Sequence, residues 1–155
     1  MCLGAPTMNK RQKTILVLIC VTLLFIFVHS MMPPPASAAE SERVAQIISQ
    51  VISPDTPIGH FLIKYVRKIA HFTEYGILGF EVVLAVCAFG LPFWKRRFFA
   101  LSLLAFPVGF IDESIQILSG RGPAIADVWV DAFGYITYFF VTAAALTALR
   151  HRKEK

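Results

Sequence analysis

Residues 98–134 read FFALSLLAFPVGFIDESIQILSGRGPAIADVWVDAFG. Two apolar runs meet here across a Gly- and Pro-containing loop. Each carries acids near that loop: Asp112, Glu113 and the amide Gln116 before it, Asp127 and Asp131 after it, with Arg121 between. An ionisable group inside a membrane span is expensive, about 3 kcal/mol or more for Asp at a helix centre on insertion scales. Acids on two neighbouring runs therefore predict helices whose charged faces turn into a bundle, away from lipid.

The composition of the whole chain agrees. Of its 155 residues 56% are hydrophobic, and the mean hydropathy is +0.63, an excess that suits a membrane protein and not a soluble domain of this size. Four apolar runs are long enough to span: residues 14–32, 69–93, 98–118 and 128–149. A run of about 19 residues at 1.5 Å rise covers roughly the 30 Å hydrocarbon core. Three of these four carry acids, the second contributing Glu74 together with His71. The predicted fold class is an all-α membrane protein, a four-transmembrane-helix bundle with a short amphipathic helix between spans one and two.

Orientation follows from Lys and Arg. Ten of the fifteen lie in three tight clusters: Lys10, Arg11 and Lys13; Lys95, Arg96 and Arg97; and Arg150, Arg152, Lys153 and Lys155. The other five, Arg43, Lys64, Arg67, Lys68 and Arg121, are spread over the longer loops. Placing the three clusters in the cytoplasm gives residues 1–13 as a cytoplasmic N-terminus, 14–149 as the transmembrane domain and 150–155 as a basic cytoplasmic tail. His71, Glu74, Asp112, Glu113, Gln116, Asp127 and Asp131 then fall within about 10 Å of the outer surface, counted at 1.5 Å per residue. Glu81 is the exception, roughly 20 Å down span two.

The basic lead, the first apolar run and Ala36-Ser37-Ala38 resemble a secretory signal with a cleavage site. The run is long for such a signal and Pro33-Pro34-Pro35 intervenes, so it reads as a retained span. Met8 opens MNKRQK, a basic lead-in that suits a translation start. After the breaker at 33–39, Val44, Ile47, Ile48, Val51 and Ile52 recur at helical spacing, with Ser37 or Ser41 available as N-cap. This helix serves either as a lid over the polar cluster or as bundle packing.

On span two, Lys68, His71, Glu74 and Tyr75 share an arc. His71 and Glu74 are three apart and able to touch, as a general base with its carboxylate or as a buried hydrogen-bonded pair. Asp112 and Gln116 are four apart on one face, with Glu113 about 100° away. Pro107 and Gly109 predict a kink just before them. Asp127 and Asp131 are four apart, and Gly134 would let a second helix approach closely. Asp127 is either an N-cap or a site residue. Arg121 either clamps a phosphate or answers Asp112 or Asp127. The acids outnumber nearby cations, which leaves room for a divalent ion on Asp112, Asp127 and Asp131 or for shared protons.

Other chemistries lack their motifs: no Gly-rich phosphate loop, no HExxH, no GxSxG, and no basic–aromatic pattern for nucleic acid. Cys2, Cys20 and Cys87 have neither disulfide nor metal-clip spacing and read as small fillers.

Two blocks, RKIAHFTEYGILGF at 67–80 and DESIQILSGRGPAIADVWVDAFG at 112–134, resemble the VanZ-like family of small bacterial membrane proteins. The resemblance covers the chain from residue 14 onward. It implies motif positions at Lys68, His71, Glu74, Tyr75, Asp112, Glu113, Gln116, Arg121, Asp127, Asp131 and Gly134, and action at the cell envelope linked by the family's name to teicoplanin. The expected function is binding or modification of an anionic lipid-linked or cell-wall component at an outward-facing site. In that scheme His71, Glu74 and Asp112 are the catalytic candidates, and Lys68, Tyr75, Gln116 and Arg121 bind substrate. The alternatives are a non-enzymatic scaffold, or a proton- or ion-coupled carrier hinted at by Glu81. The bilayer of the bacterial cytoplasmic membrane is the expected partner.

Overall fold

The computed structural model describes residues 8–121 and 124–153. Among them the chain forms seven helices: α1 Lys10–Ser30, α2 Pro34–Val51, α3 Pro57–Lys64, α4 Val66–Ala88, α5 Arg96–Ser102, α6 Ala105–Leu118 and α7 Ile125–Lys153. Four segments are long and apolar enough to cross a membrane: α1, α4, the α5–α6 pair and α7. Val17, Val21, Leu24 and Val28 of α1 and Trp129, Phe133 and Val141 of α7 lie exposed, while His71, Asp112, Glu113 and Asp131 are buried. Apolar side chains outside and ionisable ones inside are what a bilayer imposes. The chain is a multi-pass membrane protein.

The spans alternate in direction. Asn9 caps α1 in a reciprocal box with Gln12, satisfying free N–H groups of the first turn. Gln12 also donates to the carbonyl of Ala88 at 3.0 Å, joining the start of α1 to the end of α4. α4 and α7 run parallel and are the most closely packed pair. Gly134 permits this: a Cβ there would stand 2.2 Å from the carbonyl oxygen of Phe72. Lipid tails are as apolar as Leu, so close backbone approach and dispersion hold the pair. Away from the acids, Phe98 packs on Phe139, Phe140, Phe93 and Trp94.

Several local expectations change. The third span is broken: α5 ends at Ser102 and α6 begins at Ala105. Pro107 has no N–H for the Leu103 carbonyl four residues back, and its ring crowds that carbonyl. The Leu103 carbonyl instead accepts from Phe106 N at 3.2 Å. Span two begins at Val66 and ends at Ala88, and span four extends from Ile125 to Lys153. α2 is longer than expected and neither serine caps it. Pro34 and Pro35 occupy its first turn and Ser37 lies inside, buried. Proline is tolerated there because the first-turn N–H groups have no helical partner anyway. α3, capped by Thr56 onto Gly59 N, was not foreseen.

The described members of the three basic clusters lie at one end of the bundle, the starts of α1 and α5 and the end of α7. The described acids other than Glu81, with α2 and α3, lie at the other.

Candidate functional site

The polar end is assembled from five elements. From α4 comes His71, whose Nδ1 lies 3.3 Å from Asp131 Oδ1 on α7. Asp112 of α6 is fully buried. Its Oδ1 accepts a short hydrogen bond from Ser30 Oγ at the end of α1, and its Oδ2 accepts from Gln116 Nε2 at 2.8 Å. Gln116 Oε1 in turn accepts from Arg67 Nη2 at 3.2 Å. One chain of hydrogen bonds thus joins α4, α6 and α1, and fixes the Asp112 carboxylate from both oxygens.

Glu74 does not pair with His71. It faces His29 of α1, whose Nδ1 is 3.1 Å from Glu74 Oε1 and whose Nε2 is 2.9 Å from Glu40 Oε2 on α2. A neutral imidazole has only one N–H, so bonding both carboxyl groups requires either an imidazolium that donates to both or a protonated acid that donates to the bare ring nitrogen. The apolar first span had been read without His29, Ser30 or the acid on α2. The rule that flagged the other spans, an ionisable side chain in an apolar run, would have found His29.

Glu113, which points to a different neighbour, accepts from the backbone N–H of Ala124 just ahead of α7. It bonds the chain at the start of α7, where capping was one of the two alternatives for Asp127. Asp127 itself lies inside the first turn of α7 and pairs with Lys68 Nζ at 3.4 Å. It stays apart from the tight cluster: His71, Asp112 and Asp131 each offer one ligand atom, all within 4.8 Å of one another. The expected ion set of Asp112, Asp127 and Asp131 is therefore regrouped, with His71 in the place of Asp127.

Arg121 is placed by the end of α6. Arg121 N bonds the Gln116 carbonyl at 3.0 Å and Gly120 N that of Ile117 at 3.1 Å, a Schellman turn with Gly120 at φ +85° in the left-handed region that glycine adopts freely. The turn folds Arg121 back into the bundle at 9% exposure. Its Nε and Nη2 are buried without a hydrogen-bond partner among the described residues. Burial, then neighbouring Arg67, pulls the guanidinium below its ordinary value, opposed by Asp112, Glu40 and Glu113. It forms no ion pair with Asp112 or Asp127 among the described residues. Gly122 and Pro123 of the same loop lie outside the described residues. Tyr75 is fully buried, its hydroxyl without a hydrogen-bond partner among the described residues.

Arg67 lines two cavities. A small one of about 240 Å³ is lined by Lys64, Arg67, Lys68, His71, Asp127 and Val130. A larger one of about 430 Å³ lies beneath α2, its walls mostly apolar, among them Val44, Ile48, Leu62 and Ile77, with His29, Glu40, Arg67 and Glu74 as its ionisable members. α2 covers this second cavity and is joined to α1 by the His29–Glu40 contact.

A family model described as VanZ/LLP1 matches residues 15–146, nearly the whole length. No curated protein and no solved structure matches the chain.

Proposed function

The chain belongs to the VanZ-like family, and from that premise we propose that it is an envelope protein of the bacterial cytoplasmic membrane, both termini cytoplasmic, that binds a phosphate-bearing lipid-linked component at its outward-facing polar end. The observation that carries this is the convergence of Lys64, Arg67 and Lys68 on one small cavity beside His71. Three cations around a space of that size favour a compact anion, and Arg67 offers the planar fork that suits phosphate. The apolar cavity beneath α2 shares Arg67, so a head group at the cations would have its hydrocarbon chain beside Val44, Ile48 and Leu62. Lowered teicoplanin susceptibility is the cellular effect that the family name attaches to this reading.

The test is binding to nanodiscs of phosphatidylcholine with and without phosphatidic acid. Phosphatidic acid should be preferred, and the double variant Lys64→Gln, Lys68→Gln should lose about tenfold or more in affinity, from about 1.5–3 kcal/mol per charged hydrogen bond. Equal binding to both bilayers, or an unaffected double variant, would remove the reading.

One observation favours a second reading, ion-coupled transport. Glu81, 7% exposed within span two, accepts from Thr22 Oγ1 at 3.0 Å while its Oε2 has no partner among the described residues. A lone buried carboxyl in a span suits a proton carrier.

A further inference from the structure

We propose that His71, Asp112 and Asp131 form a divalent-metal centre, taking a cation such as Zn²⁺ or Mn²⁺. Three independent features support it. The first is charge. Asp112 and Asp131 are 0% and 1% exposed, and the one ion pair to either among the described residues is that of His71 with Asp131. Two carboxylates withdrawn from water cost several kcal/mol each unless answered by charge, and a divalent cation answers both at once.

The second is unmet bonding. His71 Nδ1 and Asp131 Oδ1 are 3.3 Å apart, yet each is buried without a hydrogen-bond partner among the described residues. They face one another without the geometry of a donor and its acceptor. Bonds of about 2.0–2.2 Å at a tetrahedral angle put neighbouring ligand atoms about 3.4 Å apart, so the observed separation suits two ligands of one ion. Tyr75, one turn along α4 from His71, adds a fully buried hydroxyl with no hydrogen-bond partner among the described residues.

The third is the outer shell. Ser30 and Gln116 hold Asp112 from its two oxygens, and Arg67 holds Gln116. Ligating carboxylates are commonly fixed in this way by residues that do not touch the ion. One imidazole with two carboxylates is a mixed N/O set, which suits Zn²⁺ or Mn²⁺ better than Mg²⁺ or Ca²⁺. His71 also lines the small cationic cavity, so an open coordination position there would meet the anion held by Lys64, Arg67 and Lys68. That link rests on the proposed function; the metal centre itself does not.

The test measures metal, not lipid. Detergent-purified wild type is stripped with chelator, titrated with Zn²⁺ and with Mn²⁺, and analysed for bound ion and for melting temperature. The expected result is saturable binding of about one ion per chain with a rise in melting temperature, as for any ligand that binds only the folded state. Asp131→Asn should abolish binding, Gln116→Ala should weaken it about 10–100-fold, and Asp127→Asn should leave it intact. Wild type that binds neither ion saturably overturns the proposal, and this arm holds even where Asp131→Asn does not fold. Equal loss in Asp127→Asn and Asp131→Asn overturns the assignment of ligands. Metal binding with no preference for phosphatidic acid would sustain the centre and remove only the proposed ligand.

Discussion

His71 of α4 faces Asp131 of α7 across 3.3 Å, whereas Glu74, the neighbour expected from spacing, turns away to His29 of α1. Two helices that run parallel and are far apart in sequence thus share the buried half of the polar end. The half that Glu74 belongs to ties α1 and α2 together through His29.

The α4–α7 seam depends on Gly134. Gly134→Ala places a Cβ 2.2 Å from the Phe72 carbonyl oxygen, whereas Gly109→Ala meets nothing nearer than Val128 Cγ1 at 3.4 Å. Overpacking typically costs about 1–3 kcal/mol. Thermal unfolding in detergent should show Gly134→Ala several degrees below wild type and Gly109→Ala close to it.

A smaller effect is expected at Tyr135. Its hydroxyl donates to the Leu101 carbonyl at 2.9 Å, across from α7 to α5. Tyr135→Phe removes one hydrogen bond and little volume, so the loss should be about 1 kcal/mol. A loss several times larger would mean that the hydroxyl also orders the broken third span.

His29 makes the α2 cover testable. His29→Phe keeps a ring of similar size but removes both carboxylate contacts, including the one to Glu40. Hydrogen exchange should rise through residues 34–51 while α4 and α7 keep their protection. Unchanged exchange in α2 would show that its apolar face alone holds it in place.

Glu81 separates the transport reading from the polar-end reading. Glu81→Gln keeps the Thr22 contact and removes a buried charge whose only described partner is that hydroxyl. Stability should be unchanged or higher. An outer-end binding protein keeps its phenotype in this variant; a proton carrier loses it.

The four spans and the end of the bundle that collects the acids were legible because hydrophobic run length and charge placement are properties of the sequence itself. Partner choice was not. Spacing put Glu74 within reach of His71, but which face meets which is decided by packing, here by Gly134 drawing α7 onto α4. Asp127 looked like a cap because it stands at a helix start, yet Glu113 reaches the Ala124 N–H from another helix. Pro107 did mark a break, placed four residues back at the carbonyl it crowds. His29 was missed because the first run was read as uniformly apolar. α2 was read too short because proline was taken as a breaker where it begins a helix.

The most direct measurement compares His71→Ala and Asp112→Asn with wild type in a deletion host, reading membrane protein level and teicoplanin susceptibility together. The account predicts near-normal levels with the wild-type effect on susceptibility lost in both variants, since the cluster is held to act on a ligand. Depleted protein in both would contradict it, because the cluster would then serve to hold the bundle together. So would normal levels with susceptibility unchanged from wild type.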